Sequence, residues 1–186
     1  MYSTTLANGR HDKHRLEGPQ IASPLSLGTA APDIALPAGV GQTWGLHDHR
    51  GNPVAVVFYP ADWEPVSTDQ LSCYNDALPH IRSMNAELVG ISVDGIWCHQ
   101  AFAAHLRLRF PLLADFQPRG DTARAYRVYR TRQGVSERAL FVIDGGGIIR
   151  WHYLAPAEVN PGIDGMLTAL EGLAHGKGPC SGRSGR

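Results

Sequence analysis

The chain lacks most of the features that would assign it at once. It has no Cys-x-x-Cys, and only three cysteines, Cys73, Cys98 and Cys180, at spacings that suit neither a metal site nor a disulfide framework. No apolar run approaches the roughly 18–20 residues that a membrane-spanning helix needs. The stretch from Met1 to Ser23 is polar and carries no apolar signal core, so a cytoplasmic location is the default expectation. Neither sign of charge is in excess: 17 acidic and 17 basic side chains cancel, which leaves no reason to expect a nucleic acid or a membrane surface as partner. Gly39 and Gly41 belong to no Gly-x-Gly-x-x-Gly pattern and precede no helix, and a Gly-x-Ser-x-Gly elbow is absent. The nine histidines are scattered and read as solvated surface groups, so no metal and no cofactor are expected.

What is present describes an ordinary globular domain, 43% hydrophobic and 18% charged. The length fits one domain with a tail at each end. We expect a flexible leader over residues 1–24, a folded unit over 25–175, and a disordered glycine-rich tail over 176–186.

The organising stretch runs from Val54 to Tyr74. Val54-Ala-Val-Val-Phe-Tyr is apolar at every position, as a strand buried on both faces should be. Pro60 ends it, because proline cannot donate to a sheet ladder. Pro65 suits a first helical position, and Leu71, Tyr74, Leu78 and Ile81 then recur at helical spacing. Ser67 shares that stripe and faces inward, at a helix N-terminus suited to an anion or a nucleophile. Glu64, three residues before it, is placed to cap the helix. Upstream, a proline-punctuated edge element at Leu27–Pro37 and a hairpin over residues 39–46 are expected, with a turn at His47–Asn52. Downstream, the pattern predicts a buried strand at Glu87–Val93 and a helix over Ile96–Leu106. A short strand at Phe110–Asp115 follows, then a helix over Asp121–Tyr129 with Ala123, Tyr126 and Val128 inward. Strands at Ala139–Ile143 and Ile148–Tyr153 join across Asp144–Gly147, and a last helix covers Ile163–Leu173. The class is α/β: a thioredoxin-like fold, with a central mixed sheet flanked by helices and ending in a β-hairpin and a C-terminal helix.

Pro60-Ala-Asp-Trp-Glu64-Pro-Val-Ser67 resembles the Pro-x-x-x-Thr/Ser-x-x-Cys segment of the peroxiredoxins, the alkyl hydroperoxide reductase/thiol-specific antioxidant family. The resemblance extends over residues 25–173 through Gly90-Ile-Ser-Val-Asp94, Phe110-Pro-Leu-Leu-Ala-Asp115, Ala123-Arg-Ala-Tyr126 and Arg138-Ala-Leu-Phe-Val-Ile-Asp144. It implies an antioxidant thiol peroxidase that takes a hydroperoxide, is recycled by a thioredoxin-type or small-thiol reductant, and is compatible with a homodimer. It also implies a pocket containing Pro60, Glu64 and Arg138, with the arginine serving to favour a thiolate. In this chain Glu64 stands at the hydroxyl position and Ser67 at the cysteine position.

Serine cannot cycle through a sulfenic acid, and as a nucleophile it needs a general base. A carboxylate at position 64 would in any case raise a neighbouring thiol's pKa. Cys73, turned by about 240° and displaced by roughly 9 Å at helical geometry, reads as a small half-buried hydrophobe flanking the core stripe. Cys98 lies in the first turn of its helix, where the dipole should lower a thiol's pKa. The resemblance makes it a resolving or redox-sensitive thiol. Two readings stay open: a peroxiredoxin-like redox protein with its peroxidase activity lost, weak or moved to Cys98, and a non-catalytic module binding a partner or small anion at the retained pocket. A thioredoxin-type disulfide reductase is disfavoured by the missing Cys-x-x-Cys.

Overall fold

The structure is a computed structural model that describes residues 23–176. The leader and tail expected from the sequence therefore fall outside the described residues, except at their inner ends.

Val54–Phe58 (β3) is the centre of a five-stranded sheet. It runs parallel to Glu87–Ser92 (β4), which runs parallel to Leu112–Ala114 (β5). On its other side β3 pairs antiparallel with Arg138–Ile143 (β8), which pairs antiparallel with Ile149–Ala155 (β9). The order is β5-β4-β3-β8-β9, a thioredoxin-like arrangement. The alternating residues of β3 explain its continuous hydrophobicity. Ala55, Val57 and Tyr59 face a core shared with Leu71, Tyr74, Leu78, Phe102 and Met166. Val54, Val56 and Phe58 face a second core with Ile91, Ala123, Tyr126 and Phe141. Each large apolar side chain buried this way contributes about 1.5–3 kcal/mol.

Pro65–Ser83 (α1) and Asp164–His175 (α4) supply the first core layer. In α1, Ser67, Leu71, Tyr74, Leu78 and Ile81 are all buried, the stripe read from the sequence. Pro79 sits inside this helix and cannot donate to the carbonyl of Asn75 four residues back. The Arg109 guanidinium satisfies that carbonyl instead, at 2.7 Å from Nη2. Ile96–Leu106 (α2) has the bounds expected.

Three expectations need correction. The N-terminal hairpin is formed by Ala35–Gly39 (β1) and Gln42–Gly45 (β2), not residues 39–46, with Gly41 in the left-handed region at φ 69°. The helix expected over 121–129 is only Asp121–Ala125 (α3). The chain leaves it because Arg127 turns left-handed at φ 59° and Val128 N–H returns to the Ala123 carbonyl, a helix-ending geometry. Tyr129–Arg130 (β6) and Val135–Ser136 (β7) then make a small hairpin that the sequence did not announce. Third, Cys73 is exposed rather than half-buried, since it lies off the Leu71–Tyr74–Leu78 stripe on the outer side of α1.

Candidate functional site

The turn between β3 and α1 lies at the carboxyl end of the parallel strands, and residues of two polar clusters come from it. The first surrounds the start of α1. Glu64 is the N-cap: its Oε1 accepts from Val66 N–H at 3.1 Å and its Oε2 from Ser67 N–H at 2.7 Å. These are two of the amide donors that a helix start leaves unpaired. Glu64 Oε2 also accepts from the Ser67 hydroxyl at 2.6 Å and from Arg138 Nη2 at 2.9 Å. Burial pushes the Glu64 carboxyl up, but the bonds from the Ser67 hydroxyl, Arg138 and the two amides outweigh it and hold Glu64 below its ordinary 4.5.

Arg138, the first residue of β8, is 0% exposed. A guanidinium has five N–H donors, and all are occupied. Nε and Nη2 donate to the Ala157 carbonyl at 3.1 and 2.9 Å, Nη1 to Gln70 Oε1 at 2.7 Å and to Ser67 Oγ at 3.2 Å, and Nη2 to Glu64. Gln70 is fixed in turn, since its Nε2 donates to Tyr74 Oη and Tyr74 donates to the Gly162 carbonyl. The structure thus brings Glu64, Ser67 and Arg138 into direct contact and adds Gln70, which the sequence reading missed. Its position three residues after Ser67 and four before Tyr74 was the available signal.

The second cluster is buried beneath the turn. Tyr59, the residue after β3, donates to Asp62 Oδ1 at 2.8 Å, and His99 Nδ1 lies 2.9 Å from Asp62 Oδ2. His99 Nε2 lies 3.2 Å from the Leu113 carbonyl, so both ring nitrogens meet an acceptor. The Asp62 amide donates to Asp94 Oδ2, which also accepts from the Ser92 hydroxyl. Gly90 makes room for this group: a Cβ there would stand 3.2 Å from the Tyr59 ring. Asp62 and His99 are 6% and 3% exposed. His99 is therefore a core residue, contrary to the expectation that the histidines are solvated surface groups. The spacing of His99 and Phe102 on α2 was the sign that it faces inward. Trp63, between Asp62 and Glu64 in the chain, takes a left-handed φ of 64° and packs against the Phe102 and His105 rings in tilted contacts.

Pro60 stands at the head of this turn and makes none of the side-chain bonds. Cys98 is half-buried beside Asp62 and Trp63. Its environment corrects the expectation of a helix-activated thiol: burial, then the Asp62 carboxylate, push it up, with Asp94 adding to the effect. Cys73 is likewise pushed up by burial and by Asp76 and Asp164. Cys180 lies outside the described residues. Among the described residues, no three His, Cys, Asp or Glu are placed to hold a metal ion, and no helix is long and apolar enough to cross a membrane.

The AhpC/TSA family model matches residues 27–152. Alkyl hydroperoxide reductase E of Mycobacterium tuberculosis is 34% identical over 138 residues, covering 73% of this chain and 90% of that protein. Among solved structures, peroxidoxin BcpB from the same organism has a TM-score of 0.71 at 27% identity, covering 79% of this chain and 97% of its own. The reduced 2-Cys peroxiredoxin of Plasmodium vivax has a TM-score of 0.74 at 24% identity, with 82% and 83% covered, a likeness of fold.

Proposed function

The chain belongs to the AhpC/TSA, or peroxiredoxin, family, and from that premise we propose that it is a member whose peroxidatic position is silent, with Ser67 standing where the family carries its reactive cysteine. Membership supports a peroxiredoxin-like redox function. The observation that carries the finer reading is the closed bonding of Arg138. With all five N–H groups engaged by Glu64, Ser67, Gln70 and Ala157, the guanidinium has no donor left to polarise an O–O bond.

Two other routes through Ser67 also fail on physical grounds. A hydroxyl has no sulfenic acid cycle. As an acyl nucleophile, Ser67 would have Glu64 as its base at 2.6 Å. A useful base titrates near the working pH, whereas Glu64 is held below 4.5, and Ser67 is 0% exposed. The raised Cys98 thiol is a poor substitute nucleophile at neutral pH. The retained architecture without its reactive atom favours the second reading, a non-catalytic thioredoxin-fold module, over turnover of hydroperoxide with a thioredoxin-type reductant.

The test compares hydroperoxide consumption, with thioredoxin and its reductase, by the natural protein, Ser67→Cys, and Ser67→Cys/Glu64→Thr. The natural protein should show negligible turnover. In the double variant the thiolate attacks the terminal peroxide oxygen, the O–O bond breaks, the alkoxide leaves as alcohol on taking a proton, and a sulfenic acid forms. The single variant should react more slowly, because the Glu64 carboxylate disfavours the thiolate. Catalytic peroxide loss by the natural protein that disappears on Cys98→Ala would refute the reading.

A further inference from the structure

The Glu64 carboxylate is held as a bound anion would be held. One oxygen, Oε2, receives three donors between 2.6 and 2.9 Å: the Ser67 hydroxyl, the Ser67 amide and the Arg138 guanidinium. The other receives the Val66 amide. The Arg138 side chain is completely buried, and Glu64 is its sole carboxylate partner among the described residues. The Glu64 side chain keeps 31% exposure, so this wall of the cradle opens to solvent. The carboxylate thus enters from the solvent side on a short tether, while its receptor groups are fixed from behind by Gln70, Tyr74 and the Ala157 carbonyl.

We infer that Glu64 is an intrasteric plug: its carboxylate is the resident ligand of an oxyanion cradle formed by Arg138, Ser67 and the first amides of α1, and it excludes free small carboxylates from that cradle. The inference deepens the proposed silence of position 67 and shares its site, but it rests on ligation, not on turnover. A side chain already oriented in its bound geometry competes at an effective concentration far above millimolar, so millimolar formate or acetate does not displace it. Its hydrogen bonds hold it ionised through neutral pH. Removing the tethered carboxylate leaves a buried cationic N–H and two helix amides without an acceptor, a state that an anion of the right size relieves. The ligand class follows from the occupant: a monocarboxylate no larger than the glutamate head group, or another small oxyanion of that shape.

The experiment uses the full chain with Glu64→Gly, since glycine is tolerated at an N-cap with only a small loss. Thermal unfolding is followed against sodium formate, with sodium chloride at matched ionic strength as control. Glu64→Gly should be destabilised in chloride and show a saturable rise in Tm with formate at millimolar concentrations. The natural protein should show no saturable response, and Glu64→Gly/Arg138→Met should lose it. If Glu64→Gly does not fold in chloride, folding in formate alone supports the inference equally. If it folds in neither, Glu64→Ser, which keeps a good cap while removing the charge, takes its place under the same criteria. An identical formate response in the natural protein and the variant overturns the inference, as does no response in Glu64→Gly and Glu64→Ser. Peroxide turnover plays no part in this readout. A natural protein that reduces hydroperoxide while its variant binds formate would refute the proposed function and leave the plug standing.

Discussion

Asp62 and His99 make the sharpest test of how the turn before α1 is held. Both side chains are nearly inaccessible, 0% for Asp62 and 4% for His99, and they meet at 2.9 Å. Replacing either by alanine leaves the partner's buried polar atoms short of a hydrogen bond, for which about 1–3 kcal/mol is the usual cost. His99→Ala leaves Asp62 the Tyr59 hydroxyl and the weak Cys98 thiol as side-chain donors. Asp62→Ala takes from the fully buried Tyr59 hydroxyl its 2.8 Å bond and leaves it the long 3.4 Å approach to His99 and the Ser92 side chain. Against a total stability of about 5–15 kcal/mol for a domain, each single loss is large. With a urea m-value of about 2 kcal/mol/M, each variant should unfold at a midpoint lower by about 1 M. The double variant should fall short of the sum, with a coupling of about 1 kcal/mol, because neither Asp62 nor His99 is then left facing the other's absence, while the Tyr59 hydroxyl still bears its loss. Singles that shift the midpoint by less than about 0.5 M at unchanged m, or an additive double variant, would refute the reasoning.

Other consequences can be checked directly. Arg138→Met should cost about 3 kcal/mol, at the low end for a broken buried pair because Glu64 can reach water. It should also speed hydrogen exchange in residues 157–162, where the Ala157 carbonyl loses both of its Arg138 donors. Glu64 is lowered by folding, so the stability it contributes is fully present above its ordinary 4.5 and is lost as pH falls through the lower folded value. Urea midpoints of the natural protein and Glu64→Gln should therefore differ most above pH 4.5 and converge in stronger acid. Cys98, raised by burial and Asp62, should alkylate with iodoacetamide along a pH profile displaced above that of a free cysteine, measured with Cys73 and Cys180 replaced by serine. A displacement to lower pH would contradict the environment described.

The fold was legible where one residue type has one physical use. The two-faced hydrophobicity of Val54–Phe58, proline at 60 and 65, and the Leu71–Tyr74–Leu78 stripe located the central strand and the helix after it. Glu64 as cap and Ser67 as an inward residue followed from the same spacing. Other features were hidden because they depend on chain segments meeting in space. Asp62 and His99 are 37 residues apart, and they approach only because β4 lies parallel to β3 and carries α2 back over the turn. The acceptor for Arg138 at Ala157 is a backbone carbonyl, which no side-chain pattern announces. The β6–β7 hairpin has two residues in each strand, too few for a period to show. At Cys98 the helix dipole does not act alone: burial and the Asp62 and Asp94 carboxylates raise the same thiol, and only the folded chain brings them there.

The 2.6 Å bond between Glu64 and the residue at 67 also bears on how this chain can change over generations. A cysteine regained at 67 alone would meet a carboxylate that suppresses its ionisation. A threonine placed at 64 alone would take from Arg138 its one charged partner among the described residues, with no thiolate to replace it. Each single exchange is penalised, one in the ionisation of the new thiol and the other in stability, and only the pair together gives a self-consistent pocket. Positions 64 and 67 are coupled through this bond, and the residue held at one of them sets the cost of any change at the other.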